Sequence, residues 1–282
     1  MWIWLTIISA IFLGLYDVAK KQSLKKNSVL YILFFSTLIT SIILSPWLRL
    51  GPLSDHLALI LKGVLVTASW ITGLAALELL PLTTVSTIKA SRPVFVLLIS
   101  MMIFGERLNA WQWAGSILAI IALFMLSRSS KQEGIPFKNN RGIVYVIISV
   151  ATGVASALYD KHILGHMDPM FVQSWANIYI TILMGICLLV QKRREKEDFR
   201  KFTWDWNILL IAIFITIADN VYFVALSMEG AMLSVISMVR RSSVIVPFIF
   251  GALLFHEKNI KGKAIDLAVL LAGMCLIVFG TV

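Results

Sequence analysis

Ten apolar runs, near residues 2–19, 28–48, 57–80, 83–104, 110–127, 141–160, 170–190, 205–228, 231–255 and 262–280, take up most of this chain. A hydrocarbon core about 30 Å thick needs roughly 20 residues of helix per crossing, and a helix satisfies its own backbone polar groups there. The runs therefore predict an all-α integral membrane protein with ten transmembrane helices. Only 14% of the 282 residues are charged and 59% are hydrophobic, whereas soluble domains carry about a quarter charged residues. No length remains for a soluble domain. The first run, from Trp2, has no basic leader and no A-x-A-like site, so it reads as a first span rather than a signal peptide.

The formal charge of +10 raises nucleic acid as a partner, but the lysines and arginines fall mainly in short connectors. Membrane topology accounts for them there, and no nucleic-acid partner is expected. One connector is longer and more polar than the rest, SRSSKQEGIPFKNNR from Ser127 to Arg141. It divides the chain into a five-helix unit at 1–127, a connector at 128–140 and a second five-helix unit at 141–282.

The units are repeats. Leu15-Tyr16-Asp17 in the first helix matches Leu158-Tyr159-Asp160 in the sixth, each followed by lysine. In the fourth and ninth helices a shift of 151 brings Lys89 onto Arg240, Ser91 onto Ser242 and Glu106 onto Glu257. An odd number of helices per repeat inverts the second copy in the membrane, which puts a site at the interface of the halves near the midplane. Connectors after helices 1, 5, 7 and 9 hold 17 lysines and arginines, against 4 on the other side. That bias puts both termini outside the cytoplasm.

Four cations lie inside apolar runs. Lys89 and Arg92 sit in Thr84–Glu106, and Arg240 and Arg241 sit in Met232–Glu257. A cation at the bilayer centre costs roughly 2.5 to 3.5 kcal/mol even on the gentlest insertion scale, so these four must face a cavity or partners. Lys89 and Arg92 are one turn apart and share a face, while Arg240 and Arg241 diverge by about 100°. The reading is an anion site between the halves, made by Lys89, Arg92, Arg240 and Arg241 with Ser86 and Tyr222. The bland alternative pairs the cations with Asp17, Glu78, Asp160 or Asp219 as internal ion pairs. Asp17 and Asp160, at repeat-related helix ends, and Asp219, deeper in its helix, are candidates for coupling or gating.

Other features carry less. Glu106 with Arg107 and Glu257 with Lys258 read as helix-end charge pairs. His56, His162, His166 and His256 have no metal-ligand spacing, so no metal or cofactor is expected. Cys187 and Cys275 read as small buried hydrophobes. Ala68, Thr72 and Ala76, and Ala151 and Ala155, are spaced for close helix approach.

With ten spans in two five-helix repeats, and Gly105-Glu106-Arg107 ending the fourth helix, the chain resembles the EamA-like group of the drug/metabolite transporter superfamily. A narrower similarity is to the sugar-phosphate/phosphate-translocator branch, through Ile88-Lys89-Ala90-Ser91-Arg92-Pro93 and Arg240-Arg241. There the lysine and the basic pair hold a substrate phosphate, and Tyr222 lies where that branch has a substrate-contacting tyrosine. Trp70 and Gly73 depart from the histidine and threonine of that branch. The resemblance implies termini on the cytoplasmic side, against the charge count.

The function expected is a secondary transporter or exchanger of a small organic anion, phosphorylated ones included, in a bacterial inner membrane. Its alternative in the same fold exports amino acids or neutral and aromatic metabolites, the buried cations being structural. A lipid-modifying enzyme finds no nucleophile-base or metal constellation in the sequence, and a scaffold would not need repeated intramembrane charge. The oligomeric state is left open.

Overall fold

The computed structural model describes residues 2–92, 94–96, 99, 109–132, 138–163, 166–194, 202–226, 228, 239–255 and 259–280. Ten α-helices and no strand occur among the described residues. They are α1 (Trp2–Ser23), α2 (Val29–Leu44), α3 (Leu53–Leu79), α4 (Leu82–Ala90) and α5 (Ala110–Gln132) in the first half. The second half holds α6 (Arg141–Ile163), α7 (Pro169–Arg194), α8 (Trp206–Leu226), α9 (Ile245–Leu253) and α10 (Ile260–Phe279). Six of them, α1, α2, α3, α5, α6 and α7, are long and apolar enough to cross a membrane. Glu106, Arg107, Ser237, His256, Glu257 and Lys258, and the segments 133–137 and 195–201, lie outside the described residues.

Helix pairing follows the repeat. α1 packs on α8 and α3 on α6, so the first helix of each half lies against the third helix of the other. α2 pairs with α7, α4 with α9 and α5 with α10, each helix meeting its own counterpart. Exchanging the halves maps this pattern onto itself, as a twofold relation between inverted repeats requires. The largest apolar cluster runs through α1 to α8 around Ile32, Leu74, Leu77, Val85 and Val146.

Small residues set the closest approaches. On α5 and α10, a Cβ at Gly115 would come within 2.5 Å of the Gly273 carbonyl, and one at Gly273 within 2.7 Å of the Gly115 carbonyl. α3 and α6 cross at Ser69 and Ser149, where Ser69 Oγ donates to the Ser149 carbonyl at 2.8 Å and Ser149 Oγ to the Ser69 carbonyl at 2.7 Å. The spacing expected from Ala151 and Ala155 is not used, because both are exposed on the far side of α6 from Gly153. Residues two apart on a helix do not share a face. Cys275 is likewise exposed rather than buried, and Cys187 is half-buried.

Helix ends also shift. α5 runs on to Gln132 and α7 to Arg194, past the apolar runs, because Lys and Arg side chains keep a helix going at the membrane edge with their heads in water. α2 stops short, at Leu44, and passes into a 3₁₀ turn Ser45–Trp47 that holds Pro46. Lys20, Lys62 and Lys263, counted above with the connectors, all lie within helices.

Candidate functional site

The fourth helix is interrupted where the site lies. α4 ends at Ala90, and Ser91 closes it by donating its amide to the Ile88 carbonyl at 3.2 Å and its hydroxyl to the same atom at 2.6 Å. Pro93 has no N–H for the Lys89 carbonyl, so an unbroken ladder is impossible here. The second half repeats the device. Ser242 Oγ donates to the Val239 carbonyl at 2.6 Å, and a 3₁₀ turn Ser242–Val244 precedes α9. Both serine closures are related by the shift of 151, and paired helix interruptions in inverted repeats mark a transporter's binding site.

A cavity of about 160 Å³ opens beside these interruptions. Leu13, Tyr16, Asp17 and Lys20 line it from one stripe of α1; Ser86 and Lys89 from α4, with Arg92 just past its end; and Ser69, Trp70, Ser149 and Ile215 from α3, α6 and α8. Arg241 and Ser243 close it from the second half. An adjoining cavity of about 230 Å³ is lined by Leu13, Tyr222, Arg240 and Arg241. Leu13 and Arg241 belong to both walls. The first volume is close to the roughly 150 Å³ that holds a benzene-sized molecule in an apolar cavity, so the space suits a small solute.

The cations differ in what they touch. Arg240 is ion-paired to Asp219 and lies over the Tyr222 ring at 4.3 Å. Lys20 is built into a similar set on α1, over the Tyr16 ring at 3.7 Å and 3.5 Å from Asp17. Arg92 Nη2 donates to Ser69 Oγ and to the Ser149 carbonyl, both at 3.3 Å, while its Nε finds no partner among the described residues. Lys89 and Arg241 make no hydrogen bond or ion pair among the described residues. Arg241 lies within electrostatic range of Arg92, Arg240 and Tyr222, and Lys89 within range of Lys20, Asp17 and Arg92. Among the described residues, Lys20, Lys89, Arg92, Arg240 and Arg241 meet two carboxylates there, Asp17 on the cavity wall and Asp219 paired to Arg240, five formal cations to two anions.

The sequence-derived candidates thus separate. Lys89, Arg92, Ser86 and Asp17 share the first cavity, with Arg241; Arg240 and Tyr222 line the second. Ser86 Oγ is turned back onto the Leu82 carbonyl at 2.6 Å, leaving its lone pairs as acceptors. Asp160 stands apart from both cavities, ion-paired to Lys62 on α3. Glu78 is exposed at the end of α3, so it is no partner for Arg92. Three site residues escape a reading of the sequence. Lys20 sits beside charged neighbours and resembles a connector lysine; Ser69 and Ser149 are ordinary serines in apolar helices. The signal available for Lys20 is its spacing, four residues after Tyr16 and three after Asp17, which puts all three on one helix face.

A family model described as "EamA-like transporter family" matches residues 1–128 and again residues 140–279. Comparison with curated proteins finds no match. Among solved structures 27 chains match. One of them, described only as "Crystal structure of protein", has a TM-score of 0.68 at 13% identity, over 99% of this chain and 98% of its own. That likeness shows a shared fold.

Proposed function

Because this chain belongs to the EamA-like transporter family, a multi-pass membrane protein that moves a small solute, we propose that its solute is a small organic anion. The observation that carries the reading is the pair Lys89 and Arg241: one cation from each half, on one cavity, each without a protein partner among the described residues. A buried charge normally has a counter-charge, and where the protein withholds it a ligand of opposite sign supplies it. Arg241 fits the role of fixing a carboxylate or phosphate with its planar fork, and Lys89 that of a point charge closing from the other half. Arg240 is committed to Asp219 and Tyr222, so of the two neighbouring arginines it is Arg241 that meets the anion.

In this reading ten helices cross the membrane as inverted five-helix halves, at 1–127 and 141–282, in the inner membrane of a bacterium. Occupancy neutralises the repulsion among the cations and draws the halves together, which ties binding to the exchange of access. The similarity to the phosphate-translocator branch adds phosphorylated anions to the candidates.

The second reading, an exporter of amino acids or neutral metabolites, is favoured by Arg92 and Arg240, whose charged ends are held by protein groups as structural cations are. Uptake into proteoliposomes separates the two. Inorganic phosphate, small phosphorylated acids, dicarboxylates and neutral amino acids are offered with and without internal counter-substrate. Flux confined to the anions is expected; flux confined to neutral amino acids would overturn the anion reading.

A further inference from the structure

Two glycines, Gly73 and Gly153, share a feature: the charged end of a cation lies in the space of the missing side chain. A Cβ at Gly73 would lie 2.7 Å from Lys89 Nζ, 2.7 Å from Ser149 Oγ and 3.0 Å from Lys89 Cε. One at Gly153 would meet the Arg92 guanidinium, with Nε at 2.6 Å. Gly115 and Gly273 make room instead for backbone, Gly51 and Gly185 for aromatic rings, and Gly142 and Gly262 for apolar and amide side chains.

Their placement is regular. Gly73 lies one turn after Ser69 on α3 and Gly153 one turn after Ser149 on α6, and these two serines are the crossing point of the two helices. The crossing thus carries a Ser-x-x-x-Gly on each helix. Lys89 on α4 and Arg92, three residues on and just past the end of α4, lie in the two glycine slots, and Arg92 also rests on the serines between them.

We propose that Gly73 and Gly153 are positioning residues that set which anions the cavity accepts. Each slot lets a long cation lie back against the α3–α6 crossing, so its charge lines the wall and the space toward Arg241 stays clear. Carbon and nitrogen atoms rest about 3.5 Å apart, so a methyl group at Gly73 moves the Lys89 ammonium forward by about 1 Å. In a cavity of about 160 Å³ that displacement removes room a larger anion needs and leaves the charge within reach of a smaller one. A Cβ at Gly73 meets side-chain atoms, the flexible end of Lys89 and the Ser149 hydroxyl, whereas Gly115 and Gly273 meet backbone. Gly→Ala within a helix raises helix propensity by roughly 1 kcal/mol, which offsets the cost of turning the Ser149 hydroxyl aside at Gly73.

The selectivity part of this inference rests on the anion reading; the slot itself does not. Two measurements therefore accompany Gly73→Ala and Gly153→Ala in the full-length reconstituted protein. The first is the rate at which a small water-soluble amine reagent modifies Lys89, read by mass spectrometry. Gly73→Ala is expected to raise it at least three-fold, and an unchanged rate overturns the slot. The second is binding of inorganic phosphate and of glycerol 3-phosphate. Gly73→Ala is expected to weaken the larger anion at least ten-fold more than the smaller, and this difference is expected to vanish in a Lys89→Gln background, because coupled residues are not additive. Gly153→Ala is tested in the same way against Arg92→Gln. An equal loss for both anions, or a size effect that persists without Lys89, shows a structural role and overturns the inference. If the wild type binds no anion, the anion reading and the selectivity claim built on it fail together, and the labelling rate still decides the slot.

Discussion

Lys62 on α3 is ion-paired across the halves to Asp160 on α6, whereas Asp17, which holds Asp160's place in the first half, pairs among the described residues with Lys20 of its own helix, at 3.5 Å. Two residues equivalent by sequence are thus used differently, one as a bridge between halves and one on the wall of a cavity. Inverted repeats that adopt unequal conformations give a transporter one closed and one open side. On the alternating-access reading proposed above, Lys62–Asp160 belongs to the closed one.

Asp160→Asn and Lys62→Gln should therefore shift the access equilibrium toward the state in which α3 and α6 part. The pair is only partly shielded from solvent, so its loss is worth about 1 to 2 kcal/mol, or roughly a five-fold to thirty-fold change in population. Accessibility of single cysteines placed on either side of the cavity reads this directly. The charge swap Lys62→Asp with Asp160→Lys should restore the wild-type balance; an unrestored swap would show that the two residues act separately.

Arg240 is held by two different contacts, the Asp219 carboxylate and the Tyr222 face, and these respond to different substitutions. Tyr222→Phe keeps the ring and should retain the stacking, while Tyr222→Leu should lower stability by about 0.5 to 2 kcal/mol. Thermal unfolding in detergent gives the comparison. Equal melting temperatures for the Phe and Leu variants would show that the ring face contributes nothing.

Legibility in the sequence followed cost. Lys89, Arg92, Arg240 and Arg241 stood out because each is expensive in an apolar run, and all four line the two cavities. Lys20 and Lys263 did not stand out, because they lie near helix ends beside connectors, where lysines are ordinary; only packing in three dimensions shows that Lys20 faces the cavity and that Lys263 is fully buried. The repeat was legible from matched residues, and with it the central place of the fourth and ninth helices. The Ser69–Ser149 crossing and the glycine slots were not, since small residues are common in membrane helices and their meaning depends on which helix arrives opposite. That is also why the expected spacing at Ala151 and Ala155 fell on the wrong face.

Lys263 forms a second buried polar group, away from the cavities. Its Nζ bonds Thr83 Oγ1 at 3.0 Å, tying α10 to the first turn of α4, and Asp266 lies one turn further on the same helix, 2% exposed. Lys263→Leu removes the bond to Thr83 Oγ1 and the charge one turn from the buried Asp266, and should cost about 1 to 3 kcal/mol. The double change Lys263→Leu, Asp266→Leu should recover most of that loss. Melting temperatures of the two variants decide it: a double variant no more stable than the single one would show that Lys263 does not compensate Asp266.

Stability and binding should move in opposite directions at the two neighbouring arginines. Arg241 and Lys89 have no counter-charge bonded to them among the described residues, so the empty protein carries their desolvation without an offsetting ion pair. Arg241→Gln and Lys89→Gln should leave thermal stability unchanged or raise it. The same substitutions remove charge-assisted contacts worth roughly 1.5 to 3 kcal/mol, so anion binding should weaken about ten-fold to a hundred-fold. Arg240→Gln behaves otherwise. It strands Asp219 in a partly buried position, so stability should fall by about 1 to 3 kcal/mol, while the anion keeps Arg241 and loses less affinity than with Arg241→Gln. Melting temperature and anion affinity, measured on the same three reconstituted variants, test the division of labour. Arg240→Gln and Arg241→Gln giving the same affinity loss and the same melting shift would show that the pair acts as one patch of charge, with no separate structural and ligand-holding members.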